Sequence, residues 1–309
     1  MRVLVTGSRG FVGRHVMAEL EANGHEPIGL SRLQDCPDPA ANEVLADLCD
    51  TASLARAILE TKPDGCIHLA GIAFVPVGWT QPRLVFDVNV GGSLNLLEML
   101  RMHAPACRLV LVSSALVYGA ARPDEPRDET AQLDPESLYA ISKVAADLNA
   151  LLYARHHGLA IMTARPCNHI GPGQSYEFMA ASFAKQLADI AAGRHAPCMR
   201  VGNLDSVREF MDVRDVARAY RLLLERGRAA EAYNISAGMS VSVRRVLSEL
   251  CRIAGVQPEL AMDPTRFRPT DRQPMLRADK LRHDTGWAPR FTLEQTLADV
   301  YAWVRSQPA

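Results

Sequence analysis

Through the first half of the chain, short runs of aliphatic and β-branched residues alternate with longer stretches whose apolar positions recur at the helical period. The runs at 3–6, 27–31, 66–70, 108–114 and 160–165 read as strands, and those at 11–23, 84–103 and 135–157 read as helices. In the first helical stretch Val12, Val16 and Leu20 fall on one face. The strand runs are nearly all apolar, as strands of a parallel sheet covered on both faces are. Beyond 165 the pattern loosens. Gly- and Pro-rich loops at 171–173 and 263–274 interrupt helical stretches near 177–192, 214–226, 242–254 and 293–305, and 233–236 reads as one more strand. The expected fold is α/β: a doubly wound parallel sheet over 1–165, with segments near 206–236 returning to it, and a smaller lobe formed mainly by 166–309.

Composition narrows the class. The chain has 309 residues, 48% of them hydrophobic, enough for a large core. Its formal charge is −1 with no clustered basic face, so nucleic acid is not an expected partner. The seven cysteines at 36, 49, 66, 107, 167, 198 and 251 are odd in number and form no Cys-x-x-Cys pair, so neither a disulfide framework nor a zinc site is expected. The first residues run straight into a glycine turn with no secretory pattern, and apolar runs fall far short of a bilayer span. The expectation is a soluble, cytoplasmic protein with no membrane partner and no metal.

Chemistry first shows at 6–13, where Gly7, Gly10 and Gly13 follow the first strand and open the first helix. Such glycines let the backbone approach a pyrophosphate, and the helix start, at Phe11 and Val12, offers N–H donors. Residues 1–165 therefore read as a Rossmann-type dinucleotide-binding domain. At the end of the second strand, where NAD-specific folds place an acid on the ribose, the chain has Arg32, with Asp35 beyond it. A guanidinium suits a 2′-phosphate, so NADP(H) is favoured and NAD(H) remains possible. Asp47 and Leu48 are candidate adenine contacts. Tyr139 and Lys143, four apart, share a helix face, and a neighbouring ammonium is expected to lower the phenol pKa. Ser114, at the end of a strand whose carboxyl edge borders the ligand crevice, can orient a carbonyl oxygen.

Together these residues resemble the extended short-chain dehydrogenase/reductases. The match includes the 6–13 turn, His68, Leu69, Ala70 and Gly71, Asn89, the stretch 113–119, Tyr139, Lys143, Arg165 and Pro166. Segments 168–174 and 202–210 resemble the members that handle GDP-hexoses. The resemblance implies catalysis by Ser114, Tyr139 and Lys143 and cofactor contacts from Leu69 and Ala70. It implies substrate contacts from Asn168, Asn203, Arg208, Arg268 and Asp271, which makes 166–309 a nucleotide-sugar-binding lobe. His169 reads as a structural histidine, and Phe178 and Lys185 as lesser candidates for the nucleotide end. Glu209 stands where an Asp is more usual and is left outside the site. Two residues past the strand-end serine, dehydratases of the family carry a Glu that serves elimination; this chain has Leu116, which can neither give nor take a proton. The implied activity is reduction of the carbon-4 ketone of a GDP-4-keto-6-deoxy-sugar, to GDP-D-rhamnose or a close relative. The alternatives are a GDP-mannose 4,6-dehydratase, a nucleotide-sugar 4-epimerase and, last, a non-catalytic NADP-sensing protein. The resemblance also implies a homodimer paired through the helices at 84–103 and 137–157, which a charge at Leu97 or Leu148 should weaken if those side chains face the partner.

Overall fold

The computed structural model describes residues 1–35, 38–120, 125–266 and 274–308. The chain opens with β1 (Arg2–Thr6), α1 (Phe11–Ala22), β2 (Glu26–Ser31), β3 (Glu43–Leu45), α2 (Thr51–Thr61) and β4 (Gly65–His68). Then come α3 (Val75–Thr80), α4 (Pro82–Phe86), a π-helical segment (Asp87–Gly92), α5 (Ser93–His103), β5 (Arg108–Val112), α6 (Leu138–His157) and β6 (Ile161–Pro166). The second half contributes β7 (Asn168–Ile170), α7 (Met179–Ala191), β8 (Cys198–Val201), β9 (Val207–Asp212), α8 (Val213–Arg226), β10 (Glu231–Ile235), β11 (Ser240–Ser242), α9 (Val243–Ala254) and β12 (Glu259–Met262). Helices α10 (Asp279–Thr285) and α11 (Leu293–Ser306) close it.

Seven strands form one parallel sheet in the order β10-β6-β5-β4-β1-β2-β3. This is the expected doubly wound α/β fold. The strand order reverses between β1 and β4, and the crevice above that switch point is where such sheets take ligands. Alternation in β1 shows why both faces are apolar. Val3 and Val5 enter the cluster that α1, α8 and α10 cover, with Val16, Leu20, Leu223 and Leu281, while Leu4 enters the one under α2, α5 and α6, with Ile58, Leu96 and Ala150. Strand β10 arrives from late in the chain to lie beside β6. The small sheets β11-β9-β7 and β12-β8 belong to the second half, where α7, α9 and α11 share a third core.

The differences from the expected elements have local causes. The strand read at 108–114 ends at Val112, so Ser113 and Ser114 lead into a 3-10 turn at Ala115–Tyr118. The run at 66–70 stops at His68. The helix read from 135 begins at Leu138, because the Ser137 hydroxyl accepts from Ala140 N–H and caps it. The single helix read at 84–103 carries a π-helical segment that seats Asn89 inward. Strands β7, β8, β9, β11 and β12 and helices α2, α3 and α10 were not read from the pattern; most of these strands are too short to show a period.

Leu97 is 1% exposed and belongs to the core, so it does not face a partner. Leu148 is exposed, with Ile141 and Leu152 beside it on α6 and Leu94 and Met102 on α5. Among the described residues no helix is long and apolar enough to cross a membrane.

Candidate active site

The glycine turn backs onto β4. Gly7 has φ +70°, and a Cβ on it would meet Ala70 N at 3.0 Å. Leu69 N–H donates to Thr6 O, and Ala70 N–H donates to Thr6 Oγ1. A Cβ on Gly13 would collide with the Gly7 and Ser8 carbonyls, so the turn closes only around glycine. No side chain caps α1 at Gly10, which leaves the first-turn N–H groups of Phe11 and Val12 without a side-chain acceptor. This cradle fits a dinucleotide pyrophosphate.

At the other end of the crevice the Ser8 and Ser31 hydroxyls lie 3.3 Å apart. Arg32 follows, exposed, with Nε donating to Asp35 at 2.7 Å. The two residues weighed as rivals for the ribose are thus an ion pair. Arg9, a second guanidinium on the turn that the sequence reading passed over, is gripped by Glu43. Asp47 bends the chain by accepting from Cys49 N–H and lies within electrostatic reach of Arg32. Leu48 is buried against Gly92.

Helix α6 aims Tyr139 and Lys143 toward the end of β5, as their spacing requires. The Ser114 hydroxyl accepts from Leu116 N–H at 3.2 Å and stands close enough to the Tyr139 phenol to lower its pKa. Lys143 Nζ donates to Val112 O at 2.9 Å. Burial pulls Lys143 down to about 8, with Asp147 opposing. Burial pushes the Tyr139 phenol up, offset in part by Ser114. The expected lowering of the phenol pKa is therefore reversed: desolvation by burial is the larger cause, and what opposes it is Ser114 and not the ammonium one turn away.

A buried polar chain supports this site. His68 Nδ1 lies 2.7 Å from Thr6 Oγ1 and its Nε2 2.9 Å from Ser93 Oγ. Ser93 donates to Asn89 O, and Thr6 Oγ1 already accepts from Ala70, so the bonds close only with the His68 proton on Nε2. Burial, with Lys143 nearby, holds His68 down to about 3, so it stays neutral. Asn89 brackets Ile72 with both amide atoms and donates to Ser142 Oγ, which donates to Tyr139 O. Asn89 thereby ties the loop after β4 to the catalytic helix. Its presence in the familiar pattern was noted from sequence; this role was not.

The expected substrate residues are less concentrated. Asn168 on β7 donates to Glu209 O on β9 and so fastens those two strands together. Arg208 is half-buried on the same strand. Asn203 accepts Asp205 N–H in a turn before β9. Arg268 and Asp271 lie outside the described residues. Lys185 is committed to Asp189, with Arg194 on the same carboxylate. Phe178 meets Phe74 edge-to-face, with centroids 6.1 Å apart. His169 stacks on Phe11 and has Nδ1 3.1 Å from Cys167 O. Glu209 is buried; it accepts from Ser236 Oγ at 2.6 Å and Gly238 N at 2.8 Å, and so anchors the loop after β10.

Comparison with known proteins places this geometry. The chain is 36% identical over 96% of its length to the GDP-6-deoxy-D-mannose reductase of Pseudomonas aeruginosa, covering 94% of that protein. It is 25% identical to a GDP-mannose 4,6-dehydratase of Vibrio cholerae, over 97% of this chain and 92% of that protein. Among solved structures, RMD from Pseudomonas aeruginosa complexed with NADPH superposes with a TM-score of 0.89 at 34% identity, covering 99% of each chain. The Thermus thermophilus UDP-glucose 4-epimerase with NAD gives 0.87 at 30% identity, again covering 99% of each chain. Residues 3–236 match the profile described as the NAD dependent epimerase/dehydratase family, the extended short-chain group that the motifs resembled, and the chain belongs to that family.

Proposed function

We propose that this protein reduces the carbon-4 ketone of a GDP-4-keto-6-deoxy-sugar with NADPH, giving GDP-D-rhamnose or a close relative. The observation that carries this reading is the Ser114–Tyr139 pair standing beside an apolar Leu116. Such a site serves one oxygen, the one at carbon 4. Elimination of water needs a further proton carrier close by, and leucine cannot be one. The likeness to the Pseudomonas aeruginosa reductase supports the same choice.

When bound, the dinucleotide supplies the hydride. The cradle residues fit that group: Gly7, Gly10, Phe11 and Val12 would hold its phosphates, with Leu69 and Ala70 lining the turn, and Asp47 and Leu48 would take its adenine end. Arg32, released from Asp35, would meet a 2′-phosphate. At the reacting end, the Ser114 hydroxyl donates to the ketone oxygen while Tyr139 gives it a proton as the alkoxide forms. A raised phenol pKa keeps Tyr139 loaded for that step at neutral pH. Lys143, near 8, is mostly charged there and stabilises the tyrosinate left behind.

In this reading residues 1–165 hold the cofactor, and the lobe mainly from 166–309 holds the GDP-sugar through Asn168, Asn203 and Arg208, with Arg268 and Asp271 from the undescribed segment. The exposed apolar face of α5 and α6 pairs with a second copy as a homodimer.

The test is incubation with GDP-4-keto-6-deoxy-mannose and NADPH, followed by product identification, alongside GDP-mannose with NADP. NADPH oxidation with formation of a GDP-6-deoxyhexose is expected. Formation of a 4-keto product from GDP-mannose would overturn the assignment in favour of dehydratase.

A further inference from the structure

The 3-10 turn Ala115–Tyr118 begins directly after Ser114. Three of its side chains, those of Ala115, Val117 and Tyr118, are buried in one apolar cluster with Leu276. The fourth, Leu116, is half-buried and joins none of the apolar clusters among the described residues. Its backbone is nevertheless fixed on both sides. Leu116 N–H is held by the Ser114 hydroxyl at 3.2 Å, and Leu116 O accepts from Gly119 N–H at 3.2 Å. Asp134 N–H donates to Val117 O at 3.0 Å and pins the turn from the following loop. A lone half-exposed leucine on an outer surface needs no explanation. This one is tethered to the hydroxyl that meets the substrate, so it forms part of the wall around the reacting atoms.

What such a wall can face follows from the sugar. In the reading above the ketone oxygen on carbon 4 lies between Ser114 and Tyr139, so the nearest other groups are those on carbons 3 and 5. Carbon 3 carries a hydroxyl. Carbon 5 carries the carbon-6 methyl group of a 6-deoxy-sugar. A hydroxyl pressed against leucine loses its water and gains no partner, whereas a methyl group gains by leaving water. We infer that Leu116 forms the subsite for the carbon-6 methyl group and is a specificity-determining residue, accepting 6-deoxy-sugars and disfavouring their 6-hydroxylated counterparts. The same contact sets which flank of the ketone lies along the turn, and so which face of carbon 4 is presented to the hydride.

The inference rests on the proposed ketone reduction, and the experiment separates the two. GDP-D-rhamnose and GDP-mannose differ only by the oxygen on carbon 6. With NADPH saturating, neither alcohol can react, so titration calorimetry reads binding alone. The native protein should bind GDP-D-rhamnose about 10- to 100-fold more tightly than GDP-mannose, the range an apolar pocket reaches against an added hydroxyl. Leu116→Asn, close in size but able to pair with a hydroxyl, should erase or invert that preference, while Leu116→Met should keep it. Unliganded melting and NADPH affinity should match the native protein in both variants. A leucine that only plugs the turn would instead lower the melting temperature of Leu116→Asn and weaken both sugars alike. Equal affinities in the native protein, an unchanged preference in Leu116→Asn, or equal weakening of both sugars overturns the inference. NADPH oxidation by GDP-4-keto-6-deoxy-mannose is followed on the native protein alongside. Its absence overturns the reduction reading and this inference with it; turnover without the preference overturns this inference alone.

Discussion

Asp147 joins the stability of the fold to the titration of Lys143, and Asp147→Asn separates the two. The carboxylate is fully buried on α6 and accepts from Arg165 Nε at 2.8 Å, from Arg165 again at 3.3 Å and from Thr163 Oγ1 at 3.0 Å. Arg165 is itself buried, with the Tyr118 hydroxyl as its other partner. Asparagine keeps the shape but leaves a buried guanidinium without its counter-charge. Breaking such a pair costs about 3–5 kcal/mol, and for a chain of this size the melting temperature should fall on the order of 10 °C. The second effect reaches the chemistry. Asp147 is the group that opposes the desolvation of Lys143, so its neutralisation lets the Lys143 pKa fall further below about 8. If the charged lysine is needed, turnover falls as pH rises through that value, and the alkaline limb of kcat/KM must move to lower pH in the variant. Tyr139 stays protonated across this range and does not contribute to the limb. Asp147→Leu combined with Arg165→Met removes both charges, so it should recover part of the stability while the limb stays shifted. Thermal melting at pH 7 and a kcat/KM profile between pH 6 and 10 read the two effects. An unmoved melting temperature, or a limb that moves upward, would refute the reasoning.

Tyr139→Phe should lower kcat by roughly 10²–10⁴ with nucleotide-sugar affinity nearly intact, since it removes only the proton donor; near-normal turnover would take Tyr139 out of the mechanism. Arg32→Ala should weaken NADPH about 10- to 100-fold and NADH much less, with little change in melting, because its ion pair with Asp35 is exposed. Equal loss for both cofactors in a binding titration would show that Arg32 does not read the 2′-phosphate. Leu148→Glu should shift a dimer toward monomer in analytical sedimentation, since Leu148 lies amid exposed Ile141 and Leu152 on α6; a native protein already monomeric at micromolar concentration refutes that surface.

What could be read from the chain alone divides along physical lines. Features that one element settles by itself were visible: the buried alternation of Val3, Leu4 and Val5, the glycines that close the turn, and Tyr139 four residues before Lys143. Features that depend on distant partners were not. Glu209 shows in its segment only as a longer stand-in for an Asp, yet it is buried because Ser236 and Gly238 come back to satisfy it. Asn89 acts through Ile72 and Ser142, and its inward aim comes from a π-helical segment that apolar spacing does not signal. The phenol pKa is the sharpest instance. Spacing reveals an ammonium one turn away and predicts a lowered value. Burial of the ring, which only the assembled cleft creates, pushes the value the other way. A phenol that begins ionised is prepared to take a proton from an alcohol, whereas one that begins protonated is prepared to give a proton to an alkoxide. A reductase needs the second, and the tyrosinate it leaves must then be offset by a charge that is still present at the working pH. Lys143 near 8 meets that condition below its own pKa and loses it above, so both groups fit ketone reduction near neutrality.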